Sequence, residues 1–131
     1  MKNVLITAVV LFIVGLLVGF IPQYQKASNL RTELEAARLS GQLGQIRELA
    51  ALSWAEASKM NYGSAAVDSE RMFNLASQTA SQQTKDTGLH DTLENLLSFR
   101  DTVEGKLKAG DAGVLDPLQQ IVQKTQTDLK R

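Results

Sequence analysis

Cysteine is absent from this chain, and histidine occurs once. Disulfide stapling, thiolate metal sites and a cysteine nucleophile are thereby excluded. Excess charge is missing as well: 14 lysines and arginines balance 14 aspartates and glutamates, so no strong field points at nucleic acid. No strand-period alternation of useful length occurs, which argues against a sheet. There is no P-loop, dinucleotide fingerprint, HExxH or calcium loop, and the serines and threonines lack a partnered base that would complete a hydrolytic triad. The sequence assigns no catalytic, cofactor-binding or metal-binding residue, and reads as that of a non-enzyme. His90 has Asp86, Asp91 and Glu94 close in sequence, the neighbours that metal binding or proton transfer would need. One imidazole without thiols or further histidines makes a poor transition-metal site, so His90 reads as a surface histidine at a helix start.

What is present is one long apolar run. Val4 to Ile21 carries no charge and only Thr7 as a polar side chain. At about 1.5 Å per residue it spans about 27 Å, close to the hydrocarbon thickness of a bilayer. A cleaved signal peptide is the competing reading, since Met1-Lys2-Asn3 resembles a charged leader. The run is longer than a usual leader core, and its exit, Gly19-Phe20-Ile21-Pro22-Gln23, offers no small-x-small cleavage site. We expect an uncleaved signal anchor, with Phe20 and Tyr24 at the water–lipid boundary. Lys2 and the amino terminus on one side against Lys26, Arg31 and Arg38 on the other favour a cytoplasmic domain. The very short basic tail instead resembles an export signal, which puts the domain outside a bacterial inner membrane. We adopt the second orientation, a periplasmic domain, because so short a tail gives charge counting little to work with.

The rest of the chain repeats at helical spacing. Residues 1–22 read as a transmembrane anchor, 23–44 as a stalk helix merging into a bundle, and 45–131 as the bundle domain. The stalk seam is Leu30, Leu34 and Ala37, flanked by Arg31–Glu35 and Glu35–Arg38 pairs. Extended by heptads it lands on Gly41, Gly44 and Glu48 and dies. A rotated seam replaces it: Leu39, Leu43, Ile46, Ala50, Ser53, Ala57 and Met60, widened by Leu49, Leu52 and Trp54. Gly41 and Gly44 bring no proline or cap signal with them, so the helix is expected to continue through them. Gly63 supplies a helix stop and Ser64 an N-cap. The second helix shows Ala66, Ser69, Met72, Phe73, Ala76 and Ala80, mostly small residues suited to close packing. An exposed connection covers Ser81 to Gly88. A third helix runs through Leu89, Leu93, Leu96, Leu97, Val103 and Leu107, with Arg100–Glu104 and Glu104–Lys108 pairs, and stops around Gly110. Asp116-Pro117, with Gln119 at the capping-box position, opens a fourth bearing Leu118, Ile121, Val122, Thr125 and Leu129. Lys130-Arg131 forms a solvated end. The fold class is all-α: one N-terminal transmembrane helix, then a stalk and an antiparallel four-helix bundle.

Three sets of residues suggest binding rather than chemistry. Gly15 and Gly19 form a GxxxG, with Ala8 two turns earlier on the same face, where another helix can approach closely. Leu30, Leu34 and Ala37 form the stalk seam, a short coiled-coil signature whose bland alternative is packing on the chain's own last helix. Trp54, Tyr62 and Phe73 either line a small pocket or fill the core. The expected protein is a non-enzymatic single-pass accessory or structural subunit of a membrane assembly, without cofactors. Its expected partners are membrane lipids and other membrane-protein subunits or further copies of itself; nucleic acid is not among them. A small ligand-sensing module signalling through its stalk is the alternative, which leaves a small-molecule ligand open. A pilin-like filament subunit ranks below both, since no Gly-Phe junction with an early Glu precedes the apolar run.

Overall fold

The computed structural model describes residues 1–129, with the side chains of residues 20–24 excepted. The placements expected for Phe20 and Tyr24, and for Lys130 and Arg131, lie outside the described residues. All regular structure among the described residues is helical: α1 (Lys2–Ser58), α2 (Tyr62–Gln82), α3 (Thr87–Leu97), α4 (Arg100–Lys108), a 3₁₀ turn (Ala112–Val114) and α5 (Leu115–Asp128). The chain divides into two compact units, Met1–Arg38 and Leu39–Arg131, with the boundary inside α1 and within the expected stalk. The first unit is a single length of helix.

In the second unit, α1 continues through Gly41 and Gly44. It buries Leu43, Ile46, Ala50, Ser53 and Ala57, the face expected from the spacing. Trp54 and Leu52 lie on the outer side of that helix, and Leu49 packs against the core. Met60, expected to close the seam, is 77% exposed because the helix has already ended. The stop is not at Gly63. Met60 takes a left-handed backbone, φ 63°, and two reversed bonds close the turn: Asn61 N–H to the Glu56 carbonyl at 2.9 Å and Met60 N–H to the Ala57 carbonyl at 3.0 Å. Asn61 Nδ2 also donates to Glu56 Oε2 at 2.8 Å. These bonds end α1 before the glycine is reached, so Gly63 and Ser64 lie in the first turn of α2 and Ser64 caps nothing.

Small residues let α2 approach its neighbours. Ala65, Ser69, Ala76, Thr79 and Ala80 are buried beside Met72 and Phe73. Ser53 Oγ of α1 donates to the Ala65 carbonyl of α2 at 3.1 Å, and Gln42 Nε2 reaches Gln82 Oε1 at 3.5 Å. Ser69 and Thr79 return their hydroxyls to the Ala66 and Leu75 carbonyls, which removes the cost of burying them. No buried side-chain polar atom among the described residues lacks a partner.

The connection expected over Ser81–Gly88 is shorter, because α2 runs on to Gln82 and α3 starts at Thr87. Asp86 accomplishes the early start: its carboxylate accepts from Leu89 N–H at 3.1 Å and its carbonyl from His90 N–H at 2.9 Å. The expected third helix is two helices. At Ser98 and Phe99 the backbone stays right-handed, but Phe99 N–H bonds three residues back, to Leu96 at 3.2 Å. That tightened turn separates α3 from α4. Leu89, Leu93, Leu96, Val103 and Leu107 are nonetheless buried as expected.

Gly110, φ 62°, ends α4 with the same pair of reversed bonds. Asp111, not Asp116, then supplies the acceptor, taking Gly113 N–H at 2.8 Å and nucleating the 3₁₀ turn that leads into α5. The cap expected from Asp116 and Gln119 is not formed, since α5 begins at Leu115 with no side-chain cap. Pro117 sits in its first turn, where a missing N–H leaves no intrahelical bond unmade. Leu118, Ile121, Thr125 and Leu129 of this last segment complete the core.

Candidate helix-packing surface

The segment Lys2–Gly19 is long and apolar enough to cross a membrane, and none of it is buried. The core helix of a water-soluble protein and a signal sequence pass the same test of length and composition. Thr7, its one polar side chain between Val4 and Gly19, donates Oγ to the Asn3 carbonyl at 2.7 Å. A hydroxyl satisfied within its own helix loses little on leaving water.

Gly15 and Gly19 face open space: a methyl group built on either would meet nothing within 4 Å. Leu30 is 64% and Leu34 53% exposed, and Ala37 is exposed beside them. At about 100° of turn per residue, Ala8, Gly15, Gly19, Leu30, Leu34 and Ala37 fall within a sector roughly 100° wide. All six belong to the first unit, so one side of one helix carries both the small-residue stripe and the leucine seam. The charged stalk residues make no salt bridge among the described residues, and the expected Arg31–Glu35 and Glu35–Arg38 pairs are open.

The three aromatics are placed apart in character. Phe73 is fully buried, Trp54 is 40% exposed, and half-buried Tyr62 lies beside Gly110, whose added methyl would come 3.8 Å from Tyr62 Cδ2. None of them lines the two depressions described on the second unit. The larger, about 490 Å³, lies at the α1–α2 turn against Glu56, Asn61, Gly63, Ser64, Val67 and Asp68. The smaller, about 200 Å³, lies between α2 and α4 against Ala66, Glu70, Arg100, Glu104 and Lys108. Its charges are already engaged in part, because Arg100 Nε bonds Glu104 Oε1 at 2.9 Å and Arg100 Nη2 bonds Asn74 Oδ1 at 3.0 Å.

His90 Nδ1 lies 3.0 Å from the Ala80 carbonyl, so the ring ties the start of α3 to the end of α2. No group of three or more His, Asp or Glu side chains that could hold a metal occurs among the described residues. The Gly113 amide, and after it the charge of Lys106 at 3.5 Å, hold the Asp111 carboxyl below the ordinary carboxylate range. Asp86, Asp111 and the Arg100–Asn74 link carry structural roles that helical spacing does not signal; an aspartate directly before a helical turn is the only hint the sequence gives of the first two. No protein-family model matches the chain, and no curated protein or solved structure matches it.

Proposed function

We propose that this protein is a non-enzymatic, single-pass accessory or structural subunit of a membrane assembly, anchored by its N-terminal helix and docking partners with its helical domain. The observation that carries the reading is an uncovered membrane-length helix with Ala8, Gly15 and Gly19 on one side. In lipid, association of helices is driven by close packing rather than by the hydrophobic effect, and small residues permit it. The anchor is read as uncleaved, in a bacterial inner membrane, with the domain on the periplasmic side.

The second unit is read as an antiparallel four-helix bundle in which α3 and α4 together form the third member. Two contacts support a reversal between the first and second members: Ser53 with Ala65 near the turn and Gln42 with Gln82 far from it. Such a bundle offers partners a rigid exterior. Co-purification and crosslinking of the full chain from native membranes test the subunit reading. Wild type should be recovered in a complex that Gly15→Leu with Gly19→Leu weakens. Recovery of monomer alone, with and without these substitutions, would overturn it. A Cβ at either position meets nothing within 4 Å, and each substitution replaces glycine in a helix by a better helix former, so loss of association is not explained by loss of the helix.

A further inference from the structure

Beyond the membrane-length segment, the first unit keeps an apolar seam uncovered. Ala27, Leu30, Leu34 and Ala37 take four successive positions of a register spaced by three and four, and all are exposed. Leucines scattered singly on a surface need no explanation, but this spacing is that of the seam in a two-stranded coil. We propose that the same segment of a second copy of this chain covers it, in a parallel, in-register coil. The inference rests on the reading of the N-terminal helix as an anchor, and it names the partner of the stalk that follows.

Anchoring sets the direction. Two copies inserted from the same side leave the bilayer with their stalks running the same way and at the same height. In that register Glu33 of one chain flanks the seam opposite Arg38 of the other, five residues on, and the symmetric pair forms on the other side. Neither residue is in a salt bridge within the chain among the described residues, so both are free to pair. The preceding heptad sets Lys26 against Arg31 of the second copy, which opposes pairing. Those two cations are the ones of the stalk nearest the membrane-length segment.

A seam of two heptads is too short to hold two free chains together. Two spans confined to one membrane and packed side by side raise the effective concentration of the stalks, so a weak coil suffices. Ala8, Gly15 and Gly19 lie in the same sector of the helix as Leu30 and Leu34, so the same side of the helix faces the second copy in both segments.

The absence of native cysteine makes the test direct. Single cysteines are placed in the full chain in membranes and oxidised in situ. Ala27→Cys, Leu30→Cys, Leu34→Cys and Ala37→Cys should give disulfide dimers of twice the chain's mass, and Thr32→Cys, on the opposite side, several-fold less. Ala27→Cys and Ala37→Cys keep both leucines and so report even if loss of a leucine opens the seam. Glu33→Arg in the Ala37→Cys background should lower the dimer yield roughly two- to fivefold, and adding Arg38→Glu should restore it. Equal yields around the helix, or no disulfide dimer at any seam position, would overturn the pairing. Capture by a thiol crosslinker of a different polypeptide at the seam would overturn the second copy while leaving the accessory-subunit reading in place. Carbonate extraction of the same membranes separates the two failures: a retained chain without seam dimers removes the coil alone, and a released chain removes the anchor.

Discussion

Met60 holds a backbone conformation that any side chain with a Cβ resists, at a cost of about 1–2 kcal/mol, yet its own side chain is 77% exposed and fills no gap. Glycine would relieve the clash, and part of that gain is offset by the greater freedom of glycine in the unfolded chain. Met60→Gly should therefore stabilise the full chain by about 0.5–1 kcal/mol, a rise in Tm on the order of 4 °C, whereas β-branched Met60→Val should lower it. Thermal unfolding followed by circular dichroism in detergent micelles would decide. Asp111 gives a prediction of a different kind. Its folded carboxyl is depressed by the Gly113 amide and by Lys106, so it binds its proton less readily folded than unfolded. Its contribution is complete above the ordinary carboxylate range and is lost as pH falls through the depressed value. The stability difference between wild type and Asp111→Asn should be flat from pH 6 to 8 and shrink at strongly acidic pH; a difference that grows on acidification would contradict the assignment.

Between elements, the contact of α1 with α2 depends on small side chains at one level. Ser53 is buried and bonded to the Ala65 carbonyl. Ser53→Ala loses one net hydrogen bond, about 0.5–1.5 kcal/mol, while Ser53→Leu forces extra volume between two helices in contact, about 1–3 kcal/mol. Urea titrations of the full chain should rank leucine as the more harmful; the reverse order would mean that the helices are not closely packed there. This interior was legible in the sequence because packing repeats with the turn of the helix: the spacing of Leu43, Ile46, Ala50, Ser53 and Ala57 named the buried face of α1, although Leu52, Trp54 and Met60, expected on the same face, are exposed. Helix ends were less legible, since backbone bonds can set an end without a residue that advertises it. Gly63 drew attention by its type, but the helix stop lies at Met60. Likewise no glycine or proline marks Ser98 and Phe99, and the leucine spacing continues across the break, so periodicity could not divide α3 from α4. On the proposed packing surface, the positions of Ala8, Gly15, Gly19, Leu30 and Leu34 were legible, and their exposure was not, because spacing gives the face of a helix without saying what covers it.

At the scale of the whole molecule, the central question is whether Lys2–Gly19 lies in lipid. A lipid-embedded helix and an idle apolar tail differ in their response to charge. Aliphatic and aromatic residues each favour insertion by about 0.3–0.6 kcal/mol at mid-span, and one arginine there opposes it by about 2.5–3.5 kcal/mol. Twelve large apolar residues, from Val4 to Val18, favour insertion by about 4–7 kcal/mol in all, before Lys2, Asn3, Thr7 and the glycines are set against them. Leu11→Arg, near the middle of the segment, should therefore reduce the share of chain retained in carbonate-washed membranes, and Leu11→Arg with Val14→Arg should abolish retention. Leu52→Arg is the matched control, because Leu52 is an exposed leucine of the second unit and its charge would meet water in either case. Retention unchanged by both central arginines, or lost equally with Leu52→Arg, would show that something other than this helix holds the protein at the membrane.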